Sequence, residues 1–262
     1  MKRAFDEAFT LLELLTVISI VALLVLLVCT GLAKVIRSGQ SVQSSNNMRQ
    51  LTAANAAYAA DHGTFVPAAD RQNARRWHGA RTGSSGAFDP TKGFLSPYLG
   101  REGRVVACPV LAAMLKKQGQ SFEQGSGGYG YNEIYLGGMR DSFVDSTGVY
   151  IPTQISRFRH LADTVMFATT AYARVGGVQE YPFAEPPFWD FGDGPSSYRP
   201  SPSVHFRFDG LAIVGWCDGH VSFVREDPRP VGTNPHGGDA DASSLGWFGP
   251  DKDNGYWNPE RE

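Results

Sequence analysis

The feature that most constrains this chain is an apolar stretch near its start that carries one carboxylate. From Phe9 to Ala33 the only charged residue is Glu13, and residues 14–29 are mostly leucine, valine and isoleucine. About 20 apolar residues in a helix span the hydrocarbon core of a bilayer, so the stretch predicts one membrane-spanning helix. A charged side chain within such a helix costs about 2.5 to 3.5 kcal/mol on insertion scales, so Glu13 needs a physical explanation.

Two alternative roles agree less well with this stretch. A cleaved secretory signal has an apolar region of about 7–15 residues and a small-residue A-x-A site, and no such site follows here. A lipoprotein signal needs a small residue before the lipidated cysteine, whereas Val28 precedes Cys29. The sequence therefore favours a retained helix.

The helical pattern continues beyond the apolar stretch. Apolar side chains recur at helical spacing as one narrow stripe on a polar segment, at Val42, Met48, Leu51, Ala54 and Tyr58. Gly63 is typical of the position just after a helix, and Pro67 follows shortly afterwards. We therefore predict a helix from Phe9 to about Gly63, in which residues 9–36 form the membrane part and residues 37–63 an amphipathic continuation.

The remainder of the chain predicts a loop-rich domain that contains β-strands. Gly (30 residues) and Pro (16 residues) are frequent, and short strand-like runs lie at 104–107, 149–152, 164–169, 211–216 and 221–224. Asp218-Gly219 between the last two runs predicts a hairpin with a type I′ turn. Residues 64–226 would form this domain, and the Gly-, Pro- and Asp-rich residues 227–262 predict an extended loop.

The charge balance argues against nucleic acid as the main partner. The formal net charge is −2, and basic residues cluster only in one segment, at Arg71, Arg75, Arg76 and Arg81. Apart from Trp77, that segment lacks the aromatic side chains on which bases stack. We interpret it as a solvated basic loop.

Two cysteines lie outside the apolar stretch that contains Cys29. Cys108 and Cys217 are an even number in a compartment that permits disulfides, which makes them candidates for one bridge. Two buried free thiols are the alternative. The spacing excludes neither.

The first residues resemble the type IV prepilin signature. In that family a short leader ends in a small residue, and the mature chain begins Phe-Thr-Leu-Leu-Glu before an apolar helix. Here residues 1–8 correspond to the leader, Ala8 replaces the commoner Gly, and residues 9–13 read Phe-Thr-Leu-Leu-Glu. The resemblance implies cleavage by prepilin peptidase between Ala8 and Phe9, methylation of the new Phe9 amine, and assembly through Glu13.

This resemblance gives the Glu13 carboxylate a partner. In a filament, Glu13 of one subunit would pair with the Phe9 amine of a neighbouring subunit among the packed helices. Removing one partner of a buried ion pair typically costs about 3–5 kcal/mol, which is enough to set the register of subunits. The alternative is a Glu13 side chain that snorkels to the lipid headgroups. We favour the pairing because the surrounding motif matches as well.

The rest of the chain is similar to pilin-like proteins in which this helix precedes a large variable domain with an H-X9-DG element. The similar stretches are 46–67, 75–81, 93–100, 107–111, 127–138 and 217–224. One departure is that twelve residues, and not nine, separate His205 from Asp218. The resemblance implies an α+β, pilin-like fold with a long N-terminal helix, its first half transmembrane, packed on an antiparallel β-sheet domain with extended loops.

The sequence offers weak candidates for metal or calcium binding. His205, Asp218 and His220 are residues of metal-binding type, but turn geometry explains Asp218 and a strand start explains His220. Residues 251–262 partly match a calcium loop, and some secretion pseudopilins hold their C-terminal loop with calcium. The calcium candidates are Asp239, Asp241, Asp251 and Asp253. We expect a solvated acidic tail and no cofactor.

These observations lead to one expected function and one alternative. We expect a non-enzymatic subunit of a type IV pilus-like filament or type II secretion pseudopilus, held in the bacterial inner membrane by one span with a periplasmic or cell-surface domain. Its partners would be other pilin-like subunits and prepilin peptidase. The alternative is a membrane-anchored enzyme or carbohydrate-binding protein. Sugar binding would use Tyr129, Tyr131, Tyr135 and the five tryptophans, although such aromatic residues are more often core.

Overall fold

The computed structural model describes residues 10–83, 86–116, 123–140, 142–228 and 230–261, without the side chains of residues 27–31 and 33. These residues form an α+β structure with an N-terminal helix and antiparallel sheets. By their internal contacts they divide into two compact units, Met1–Val42 and Gln43–Glu262.

The helices and strands of the described residues are short, except for the first helix. The α-helices are α1 (Leu11–His62) and α2 (Pro109–Leu115). The strands are β1 (Arg75–Arg76), β2 (Gly79–Ala80), β3 (Tyr129–Tyr131), β4 (Val165–Thr169), β5 (Tyr172–Arg174), β6 (Gly177–Gln179), β7 (Val204–His205), β8 (Leu211–Trp216), β9 (Val221–Arg225) and β10 (Leu245–Gly246).

Helix α1 has 52 residues and ends where the sequence predicts. Gly63 follows it with a φ of 74°, a conformation that favours glycine. The Gly63 amide donates a hydrogen bond of 2.9 Å to the Ala59 carbonyl, which satisfies one of the last carbonyls of the helix. Among the residues that the structure describes, no helix has both the length and the hydropathy needed to cross a membrane.

The central sheet is antiparallel and has the strand order β3-β4-β8-β9. All five residues of β4 are buried, and β8 pairs with β9 along its length, for example Ile213 with Phe223. The predicted runs 164–169, 211–216 and 221–224 are therefore confirmed as strands. The runs 104–107 and 149–152 are not strands, although Val149 and Tyr150 each form an isolated bridge.

The type I′ turn lies at a different Asp-Gly pair from the one predicted. Gly219 has a φ of 93° but Asp218 has no positive φ, and Trp216 pairs with His220 across a three-residue loop. A type I′ turn needs positive φ at both central residues. Asp209 (φ 53°) and Gly210 (φ 79°) meet this condition, between Phe208 and Leu211, which exchange backbone hydrogen bonds.

The second part of α1 packs closely on the central sheet. Met48, Leu51 and Ala54 of the predicted stripe are buried, whereas Tyr58 is only half-buried and Val42 is 57% exposed. A Cβ atom added at Gly215 of β8 would lie 2.4 Å from Thr52 Cγ2, so only a glycine permits this approach. The helix thus contributes to the core of the body, Gln43–Glu262.

The residues after 226 differ from the extended loop that the sequence predicts. β10 pairs antiparallel with β7, and Trp257 is completely buried. The Trp257 Nε1 donates to the Ala184 carbonyl at 3.0 Å, so this ring has both an apolar environment and a hydrogen-bond partner. The end of the chain is therefore part of the hydrophobic core.

Candidate functional site

The start of α1 is closed by a reciprocal pair of hydrogen bonds between Thr10 and Glu13. The Glu13 Oε2 accepts from the Thr10 amide at 2.9 Å and from the Thr10 hydroxyl at 2.8 Å, and the Glu13 amide donates to the Thr10 Oγ1 at 3.2 Å. This is a capping box, whose sequence pattern is Thr-x-x-Glu. The Thr-x-x-Glu pattern was a usable local signal for this cap, but Glu13 was considered only as a charge within an apolar helix.

The first part of α1 exposes large apolar side chains on all sides. Each of them is at least 49% exposed: Leu11, Leu12, Leu14, Leu15, Val17, Ile18, Ile20, Val21, Leu23, Leu24, Val25, Leu26, Leu32, Val35 and Ile36. Two hydroxyls of this part are satisfied within the helix, since Thr16 Oγ1 donates to the Glu13 carbonyl and Ser19 Oγ to the Leu15 carbonyl. This surface suits an apolar environment.

The two residues of the predicted processing site are Ala8 and Phe9. Both lie outside the described residues, so the predicted cleavage and the methylated amine stay predictions. The side chain of Cys29 also lies outside them.

The two cysteines of the body are buried free thiols, and no bridge joins Cys108 to Cys217. The Cys108 Sγ lies 3.4 Å from the Ser44 Oγ of α1. Burial raises the pKa of the Cys217 thiol well above its ordinary value, which keeps that group neutral. The structure thus contains two buried free thiols, which is the alternative to a disulfide that the sequence left open.

The carboxylates proposed for calcium have other partners. Asp241 accepts from the amides of Val231 and Gly232, both at 2.9 Å, and Asp239 accepts from an amide at 3.0 Å. Asp251 pairs with Arg199 at 2.7 Å, and Asp253 lies 3.9 Å from a lysine.

Across the described ranges, no three His, Cys, Asp or Glu side chains are placed to hold a metal ion. The three residues of metal-binding type are also placed differently from one another. His205 is buried in β7, and burial lowers its pKa well below the ordinary value. Asp218 and His220 form an exposed pair at the β8–β9 turn, with 2.7 Å between the Asp218 Oδ1 and the His220 Nδ1.

Two of the four arginines that the sequence assigns to a solvated loop are buried. Arg71 and Arg75 are exposed, but the side chains of Arg76 and Arg81 are only 4% and 6% exposed. Arg76 forms a two-pronged ion pair with Glu123, and Arg81 lies 3.5 Å from the same carboxylate. Because Glu123 is far away in the sequence, this pairing had no local signal.

Seven of the eight aromatic residues first considered for sugar binding are buried, and Trp189 is half-buried. Tyr129, Tyr131 and Tyr135 are at most 1% exposed, as are Trp77 and Trp257. Burial raises the pKa of all three tyrosines, which stay protonated. These rings cannot contact a ligand in solution.

A different group of aromatic and polar side chains lines an open pocket of about 460 Å³. Hairpin β5–β6 and the residues after it form its wall. Tyr172 and Arg174 lie on β5, and Gln179 of β6 pairs with Tyr172 across the hairpin. Alternate residues such as Ala173 and Val178 are buried. This period-2 pattern was a usable signal that the sequence analysis did not recognise.

Buried acids lie next to this pocket. Tyr181, which lines it, donates its hydroxyl to Glu185 Oε1 at 2.5 Å. Burial, and then repulsion from Glu185, raise the pKa of Glu133 well above its ordinary value. Burial also raises the pKa of Glu185. Both acids therefore hold protons more tightly than exposed carboxylates do, and Glu185 holds the Tyr181 hydroxyl.

Comparisons of the chain with protein families, with curated proteins and with solved structures found no match.

Proposed function

We propose that this chain is a structural subunit of a type IV pilus-like filament or a type II secretion pseudopilus, assembled through the first part of α1. The observation that carries the proposal is the exposed apolar surface of residues 11–36, with Glu13 at its start. Prepilin peptidase would cut between Ala8 and Phe9. The role needs no reaction and no cofactor.

The exposed surface supports assembly because it is larger than a single copy can leave in water. Soluble monomers rarely expose a continuous apolar patch of more than a few hundred Å², and larger patches mark contacts with proteins or membranes. Copies of the same helix would cover each other in a filament. Storage in the inner membrane before assembly is part of the proposal, and it rests on the sequence of residues 9–33 alone.

Glu13 has two separable roles in this proposal. Within one subunit it accepts hydrogen bonds from Thr10 at the start of α1. In the filament its negative charge would pair with the Phe9 amine of a neighbour. Glutamine also serves in a capping box, but it carries no charge. The substitution Glu13→Gln therefore separates the two roles.

The test compares Glu13→Gln with Thr10→Ala in cells that assemble the filament. We expect Glu13→Gln to abolish sheared or surface filaments that contain this chain. Thr10→Ala should reduce them little, because this variant keeps the negative charge of Glu13. Immunoblotting of membranes checks that both variants accumulate. Normal assembly of Glu13→Gln would overturn the pairing role.

Mass spectrometry of the mature chain tests processing independently of assembly. We expect an N-terminal peptide that begins at methylated Phe9. A mature chain that retains residues 1–8 would contradict the proposal as a whole.

A further inference from the structure

The pocket beside hairpin β5–β6 has the properties of a binding site, and the proposed filament function does not use it. Its volume of about 460 Å³ falls within the range of small-molecule sites. It lies within the body, among residues of Gln43–Glu262.

A curved aromatic surface forms one side of the pocket. The Tyr172 and Tyr181 rings lie 5.4 Å apart at 41°, and the Tyr172 and His236 rings lie 6.1 Å apart at 57°. Phe183 continues the row, with its ring 5.8 Å from that of Tyr181. Such rings offer apolar faces to the C–H groups of sugar rings.

Planar polar groups lie next to these rings, since the Arg76 guanidinium is 5.3 Å from the centre of the Phe183 ring. Arg76 is held by Glu123 and by Asn73, whose Oδ1 accepts from the Arg76 Nε at 2.6 Å. Gln179 adds an amide to the same lining. The exposed Arg174 guanidinium presents paired donors to the same pocket, which match neighbouring oxygen atoms of a sugar.

The charge of the lining is not balanced. Glu123 compensates Arg76, but exposed Arg174 has no acidic partner within 4.0 Å among the residues that the structure describes. A guanidinium binds a carboxylate through two parallel hydrogen bonds. An occupant with a carboxylate would therefore complete the site.

We propose that this pocket binds an acidic oligosaccharide, with a uronic acid carboxylate on Arg174 and a neighbouring sugar ring against Tyr172 and Tyr181. Binding of this kind would attach the body to an acidic glycan. It goes beyond filament assembly and does not depend on it, so the two proposals fail separately.

The test is calorimetric titration of the purified full chain with trimers of galacturonate, glucuronate and mannuronate. Each trimer is compared with its methyl ester, which has the same rings but no charge. We expect saturable binding of at least one acid trimer, at least about tenfold tighter than its ester, because a charge-assisted hydrogen bond is lost in the ester.

Three variants locate the site. Arg174→Ala should weaken binding of the acid at least about tenfold and leave the ester unchanged, and Tyr172→Ala should weaken both. The matched control is Arg225→Ala, which removes an exposed arginine at the end of β9, as Arg174 lies at the end of β5. Thermal unfolding confirms that each variant is folded.

Several results would overturn the proposal. These are no saturable binding of any acid trimer, equal binding of acid and ester, or unchanged binding by Arg174→Ala. A nucleoside monophosphate that binds more tightly than every trimer would also overturn it, because it would identify a nucleotide site.

Discussion

The two parts of helix α1 differ in which side chains they bury: the first part exposes apolar side chains, and the second part buries polar ones. In the first part, the large apolar side chains that the structure describes between residues 11 and 36 are at least 49% exposed, whereas Ser44, Thr52 and Asn55 in the second part are at most 1% exposed. Two of these buried groups accept or donate a hydrogen bond: the Asn55 Oδ1 accepts from the Val66 amide at 2.9 Å, and the Thr52 hydroxyl donates to the Arg49 carbonyl at 3.0 Å. Polar side chains of α1 are thus buried where a hydrogen-bond partner lies within reach.

The two parts of α1 therefore obtain their stability from different interactions. A buried polar group is tolerated when it is hydrogen-bonded, so the second part is complete within one copy of the chain. The apolar side chains of residues 11–36 gain free energy only when another surface covers them. The following predictions test whether the body behaves as a packed core and the first part as an uncovered helix.

The largest expected effect is on the core of the body. Trp257→Ala should lower the free energy of unfolding by about 3–5 kcal/mol, because it leaves a cavity and an unpaired Ala184 carbonyl. Denaturant unfolding of the full chain measures this, with Tyr198→Ala, an exposed aromatic position, as the control. A loss below about 1 kcal/mol would show that the end of the chain is not part of the core.

A pair of glycine substitutions compares the two units directly. Gly215→Ala should destabilise the body by about 1–3 kcal/mol, since its Cβ would lie 2.4 Å from Thr52 Cγ2. Gly39→Ala meets nothing within 4 Å and should stabilise α1 by up to about 1 kcal/mol. Thermal unfolding followed by circular dichroism measures both. Equal effects would remove the contrast between the two units.

The last prediction concerns buried His78, whose effect on stability grows with each pH unit of acidification. Burial, and then the charges of Arg76 and Arg81, lower the His78 pKa to about 3. The folded protein therefore keeps His78 neutral while the unfolded chain takes up a proton below about pH 6.5. This contribution to stability is present above pH 6.5 and is lost on acidification, by up to about 1.4 kcal/mol per pH unit down to about pH 3.

His78→Phe removes this titration. Neither ring nitrogen of His78 has a hydrogen-bond partner in the described part of the chain, so the substitution breaks no such bond. We expect the variant to lose less stability than the wild type between pH 6.5 and 4, measured by urea unfolding at each pH. His62→Phe, at the exposed end of α1, should keep the wild-type slope. Identical slopes for all three proteins would contradict the prediction.

Much of the helix and the central sheet was predictable from the sequence, whereas the pocket was not. Gly63 marked the end of α1, and the continuous apolar runs at 164–169 and 211–216 marked β4 and β8. The pocket combines Arg76, Glu123 and Tyr172, which are far apart in the chain. Local patterns carry no information about such contacts. The same reason explains why Arg76 was assigned to a solvated loop.

By itself the sequence determined the long helix, its apolar first part, the position of Glu13 and three strands of the central sheet, because spacing and composition are local properties of a chain. Only the tertiary structure decided that Cys108 and Cys217 are separate thiols and that Trp257 belongs to the core. These depend on distances between residues that only folding brings together, so neither spacing nor composition determines them.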